Sequence, residues 1–97
     1  MMRLIDQSSR FKRDMKREAR GQHRQALQAG FVAILDDLAN DRELPQRHSD
    51  HDLTGDWRGF RECHIKPDLL LIYRKYDTEE GGLLHLARLG SHSELFG

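Results

Sequence analysis

The chain has 97 residues, enough for one compact core and too few for two, with 33% of them charged and 37% apolar. That balance, with seven aromatic residues, excludes a disordered tail and fits a folded, highly soluble unit. No apolar run approaches the roughly 20 residues of a membrane span, the residues after Met1 lack a signal peptide's long apolar stretch, and the single cysteine, Cys63, cannot close an internal disulfide; the expectation is a cytoplasmic protein with no membrane association.

The formal net charge is zero, but residues 1–24 hold eight basic side chains against three acidic ones, and the remainder carries the opposite excess. Such a dipole can set a cationic face against phosphates, although a solvated helix face explains a charge run equally well. Residues 2–6 read as a short strand. Ser8 or Ser9 offers a hydroxyl N-cap for a helix running to about Arg20, and Gly21 suits the left-handed residue after its end. Phe11, Met15 and Ala19, spaced at four, form its apolar stripe. A second helix over residues 24–39 gathers Leu27, Phe31, Ile34, Leu35 and Leu38 on one face.

Residues 41–56 turn polar and read as a loop with at most a short extended piece around Asp52 and Leu53. A strand follows over residues 57–65, then a turn at Lys66 and Pro67, then a strand over residues 68–76. In the latter, Leu69, Leu70, Leu71, Ile72 and Tyr73 are apolar without alternation, which places it in the middle of a sheet and buried on both faces. Residues 79–82 make a hairpin loop before a strand over residues 83–89, and residues 90–97 trail without assigned structure. Short connections favour antiparallel pairing. The fold class is α+β: two N-terminal helices packed on a small, mostly antiparallel sheet, as a single domain over residues 1–97.

Six histidines, His23, His48, His51, His64, His85 and His92, supply groups that titrate near pH ~6.5 and suit acid–base chemistry when several share a cleft. His48 and His51 stand three apart beside Asp50 and Asp52, but they lie in a loop and no second ligand pair has recognisable spacing. Neither a metal nor another cofactor is therefore expected. His23, at the turn between the helices, reads as solvated, and His85, between leucines, as structural. His51, His64 and His92 fall where elements begin or end, where side chains can converge.

The run from His51 through Trp57, Arg61, His64 and Lys66-Pro67-Asp68, then Leu71-Ile72-Tyr73-Arg74, then Arg88-Leu89-Gly90-Ser91-His92-Ser93-Glu94-Leu95-Phe96, closely resembles the YafQ-type mRNA interferase toxins of the RelE/ParE superfamily. The resemblance covers about residues 48–97; the N-terminal half matches only in its strand–helix–helix pattern and basic character. It implies a small sheet with helices on one face and an RNA cleft on the other. It also implies that His51, His64, Asp68, His92 and Phe96 stand at functional positions. Further implications are cleavage of messenger RNA in the ribosomal A site, neutralisation by a DinJ-like antitoxin, and contact with operator DNA only through the antitoxin complex. Leu69 and Phe60 depart from the family's frequent aromatic residue and tyrosine.

Those residue types suit a cut made by the RNA's own 2′-hydroxyl, which needs a base, an acid and a nearby cation. His92 with Asp68 or His64 is expected to exchange protons, and His51 to orient the substrate or share its charge. Arg88, and less directly Arg61, is expected to meet the phosphate, and Phe96 to stack on a base. Two other readings stay open at this point: a ParE-like, non-nuclease toxin that binds DNA gyrase, and a protein whose only task is to pair with a partner.

Overall fold

The structure, a computed structural model, describes residues 2–97; Met1, the first residue of the expected domain, lies outside them. In chain order the elements are β1 (Leu4–Gln7), α1 (Ser9–Ala19), α2 (Arg24–Gln28), α3 (Gly30–Ala39), β2 (His51–Asp52), β3 (Arg61–Lys66), β4 (Leu69–Thr78), β5 (Gly81–Gly90) and α4 (His92–Phe96). Ser8 caps α1, its hydroxyl accepting from the Phe11 N–H at 2.9 Å. The helix expected over residues 24–39 is interrupted at Ala29, whose φ of -118° and ψ of -70° depart from regular helix values, next to Gly30, a poor helix former. The strand expected from residue 57 starts only at Arg61. Residues Gly55–Trp57 wind into a 3-10 turn, and Gly59 takes a φ of 92° that a strand cannot accommodate.

The sheet runs β1-β5-β4-β3-β2, with β4 at its centre as its unbroken apolar run requires. Three of the pairings are antiparallel, and β1 lies parallel to β5 along one edge. The two faces of β4 serve two cores. Leu69, Leu71 and Tyr73 pack with Phe11, Phe31, Ile34 and Leu38 from the helices. Leu70 and Ile72 face the other way and pack with Ala87, Leu95 of α4, and Leu53, Trp57 and Phe60 of the segment before β3. The second face is thus partly roofed rather than bare.

Helix α1 departs from its expected stripe. Phe11 is buried, but Ala19 is exposed, and the buried positions beside Phe11 are the carboxylates Asp14 and Glu18. Asp14 is 3% exposed. Its Oδ2 accepts from Arg88 Nε at 2.7 Å and from the Leu89 N–H at 3.0 Å, and its Oδ1 accepts from Arg17 Nη1 at 3.0 Å. Burial alone would push this carboxyl up, yet the Arg88 bond, the Leu89 N–H and the two guanidinium charges outweigh it and hold Asp14 below its usual range. Arg17 goes on to donate to the Leu89 carbonyl at 2.8 Å, so α1 is tied to the end of β5 by both backbone and side chain.

Removing this carboxylate takes from the largely buried Arg88 its carboxylate partner, while Arg17 keeps Glu18 and Glu94. Asp14→Ala is expected to cost about 3–5 kcal/mol of stability, the range for breaking a buried pair, read as a lowered urea midpoint. Because the folded carboxyl is held below its unfolded value near ~3.9, its contribution is present above that value and disappears as pH falls through the folded one. The difference between the wild type and Asp14→Ala should therefore shrink only in strongly acidic solution.

Candidate active site

His51 stands on β2 opposite Glu62 of β3, and the two face a hollow of about 540 Å³. His92 and Phe96, one turn apart on α4, close its far side, with Trp57 and Leu95 beneath. The His92 and Phe96 rings lie 4.9 Å apart, centroid to centroid. His64 enters through Glu62: its Nε2 is 3.2 Å from Glu62 Oε1, and His51 Nε2 is 4.0 Å from the same oxygen. Glu62 is 5% exposed, a buried carboxylate between two imidazoles. Sequence reasoning passed over Glu62, although the alternation of β3 around the buried Cys63 puts Glu62 and His64 on one face.

Each functional side chain is set by local structure. Helix α4 exists because Ser91 and Glu94 form a reciprocal cap: Glu94 N–H donates to the Ser91 hydroxyl at 3.2 Å, and Ser91 N–H donates to the Glu94 carboxylate at 2.8 Å. Gly90 leaves room for the Arg17 guanidinium and the Glu94 carboxylate to meet beside β5, since a Cβ there would sit 2.7 Å from Arg17 Nη2 and 3.1 Å from Glu94 Oε1. The His51 ring is fixed by its Nδ1–H, which donates to the Ser49 carbonyl at 2.5 Å. In the neutral ring the lone pair is then on Nε2, on the Glu62 side. His48 plays a purely architectural part, donating from Nδ1 to the His64 carbonyl at 2.7 Å.

Beneath the segment that carries His51 lies a knot of polar groups. The buried Tyr73 hydroxyl donates to Asp50 Oδ1 at 2.5 Å, and Arg61 reaches Asp50 at 3.3 Å and Asp52 at 2.6 Å. Burial and the Asp50 carboxylate push the Tyr73 hydroxyl well up, so it serves as a donor and not as a base. Arg61, expected at the phosphate, is engaged here instead, pinning β2 to β3.

Two other expected site residues stand apart from the hollow. Asp68 faces the helical layer from the turn between β3 and β4, its Oδ1 3.0 Å from His23 Nε2. His23 is correspondingly far from solvated: its side chain is 11% exposed between Glu18 and Asp68. Arg88 is held by Asp14 and lines a separate cavity of about 280 Å³ with Arg10, Arg13 and Arg17. The structure therefore brings together His51, His92 and Phe96, links His64 to them through Glu62, and leaves Asp68, Arg88 and Arg61 around them in their own contacts. Among the described residues, no three His, Cys, Asp or Glu side chains are placed to hold a metal ion.

The mRNA interferase toxin YafQ of Escherichia coli K12 is 34% identical over 97 residues, covering 100% of this chain and 99% of that protein. The crystal structure of the E. coli DinJ–YafQ toxin–antitoxin complex contains a chain that superposes with a TM-score of 0.80 at 34% identity, covering all of both chains. A metal-bound toxin from Helicobacter pylori superposes with a TM-score of 0.79 at 39% identity, covering 99% of this chain and 100% of that one. Residues 3–97 match the family described as the bacterial toxin of type II toxin–antitoxin systems, YafQ, and with the fold and relatives above this chain belongs to that family.

Proposed function

We propose that residues 1–97 act as one toxin domain, a cytoplasmic endoribonuclease that cleaves messenger RNA in the ribosomal A site and so stops translation. The observation that carries this reading is the hollow: His51, His92 and Phe96 line it together, and His64 is linked to it through Glu62. Such a set can move two protons without a metal. A base takes the 2′-hydroxyl proton, the oxygen attacks the adjacent phosphorus, and an acid protonates the departing 5′-oxygen.

In this reading His92 is one proton-exchanging group and His64 or Asp68 the other, with His64 favoured by its link to the hollow. His51, with Nδ1 committed to Ser49, orients the ribose or shares the charge. Phe96, 37% exposed, stacks on an unpaired base. Arg88 contributes positive charge from its braced place beside Arg10 and Arg13, where the phosphate backbone passes; Arg61 supports the site through β2. The H. pylori relative is metal-bound in its structure; the steps proposed for this chain draw only on its imidazole, carboxylate and guanidinium groups.

An antitoxin of the DinJ type neutralises the chain, a reading supported by the E. coli complex; operator DNA is met only through that complex. Among the described residues no helix is long and apolar enough to cross a membrane.

Primer extension on messenger RNA from cells expressing the wild type should reveal new 5′ ends, and His92→Ala should lose about 10²–10⁴-fold of that cleavage while folding normally by circular dichroism. Growth arrest with intact messages would reject the nuclease. Cleavage on purified ribosomes should persist with a chelator present when ribosomal magnesium is kept adequate; a strict zinc requirement would overturn the metal-free mechanism.

A further inference from the structure

His23 and Asp68 meet outside the hollow, in a contact that the proposed chemistry does not use. The His23 ring sits in the turn between α1 and α2, its Nδ1 2.8 Å from Glu18 Oε1 and its Nε2 3.0 Å from Asp68 Oδ1. The first is a well-formed hydrogen bond. The second has ion-pair distance without the N–H aimed along it, so it acts through charge. A ring with a carboxylate oxygen at each nitrogen is served at both ends only when doubly protonated. Burial opposes that charge, but Glu18 and Asp68 outweigh burial and hold His23 above the ordinary imidazole value; the same contact holds Asp68 below the usual carboxylate range.

The charged groups around the ring come from three elements. Glu18 belongs to α1 and is itself bound by Arg17 at 2.8 Å; Asp68 belongs to the β3–β4 turn; Lys66, at the end of β3, lines the same recess. Gln22 adds a long bond to Asp68 at 3.4 Å. Among the described residues Asp68 has no other side-chain partner, and its own side chain is 60% exposed. His64, four residues earlier, lies on the face of β3 that carries Glu62, whereas Asp68 reaches toward the helices.

We propose that His23 is a positioning residue for Asp68: it holds the carboxylate on the helical side of the sheet, and Asp68 turns toward RNA in the hollow only when that contact opens. The inference rests on the catalytic reading of Asp68 given above. The restraint is complete while His23 is protonated. It relaxes as pH rises through the raised His23 value, because the neutral ring serves only one of its two carboxylates.

The test follows the His23 ring by NMR titration in the full chain, alongside messenger RNA cleavage on purified ribosomes from about pH 6 to about pH 9, for wild type, His23→Gln and Asp68→Asn. Asp68→Asn, on an exposed turn, should lower the His23 pKa. The rate of His23→Gln relative to wild type should be several-fold above one near pH 6 and fall toward one near pH 9. An unmoved His23 pKa in Asp68→Asn overturns the proposal, as does a folded His23→Gln that is slower than wild type throughout. Full activity of Asp68→Asn would instead remove Asp68 from the reaction, a different failure that takes the proposal with it.

Discussion

Asp14 gives up nearly all its water, and the desolvation of a carboxylate is tolerable only where donors replace that water completely. Two guanidinium groups and one backbone N–H do so. The consequence spreads outward. Arg88 is locked on β5; Arg17, locked by the same carboxylate, reaches the Leu89 carbonyl and Glu94, and Gly90 supplies the space for that approach. Helix α4 is seated by these contacts, and His92 and Phe96 ride on it. A charge buried in the first helix thereby sets where two of the hollow's lining groups stand.

The parts of the fold legible in the sequence are those governed by local period and turn chemistry. The face of Leu27, Phe31, Ile34 and Leu38, the two-sided β4 and the hairpin before β5 all depend on neighbours in the chain. The break at Ala29 has a local cue in Gly30, a poor helix former, which the continuous apolar period on either side of it masks. The terminal helix is a different case: Ser91 and Glu94 three residues apart are a local capping signal, present in the sequence and easily overlooked in a five-residue element. The burial of Asp14 has no local signal because its partner Arg88 arrives 74 positions along the chain, whereas Glu18 meets His23 only five residues on.

The same distinction separates the site residues. His51, His64 and His92 sit at element ends, and the chain order of those elements is enough to suggest convergence. Glu62 lies mid-strand and acquires its significance only when β2 pairs with β3 and brings His51 across from it. Asp68 lies in the turn itself, beyond the shift in β3–β4 register between His64 and Lys66, and faces the helical layer rather than the hollow. The cationic first quarter of the chain divides as well. Arg3 and Arg17 are committed to carboxylates, while Arg10, Lys12, Arg13, Lys16, Arg20 and Arg24 remain exposed and, among the described residues, without an ion-pair partner.

The parallel edge pairing has a bearing on synthesis. Asp6 of β1 is clasped by His85 of β5, 79 positions further along, so the first strand to be made has to wait for the last before it gains a neighbour in the sheet. Contacts closing so long a loop form late. Until β5 is in place, β4 offers one unpaired edge to any chain nearby, and α4 has nothing to rest on. A nascent or truncated polypeptide therefore carries no assembled hollow at all, and a cell making this protein meets its chemistry only once the final strand has been laid down.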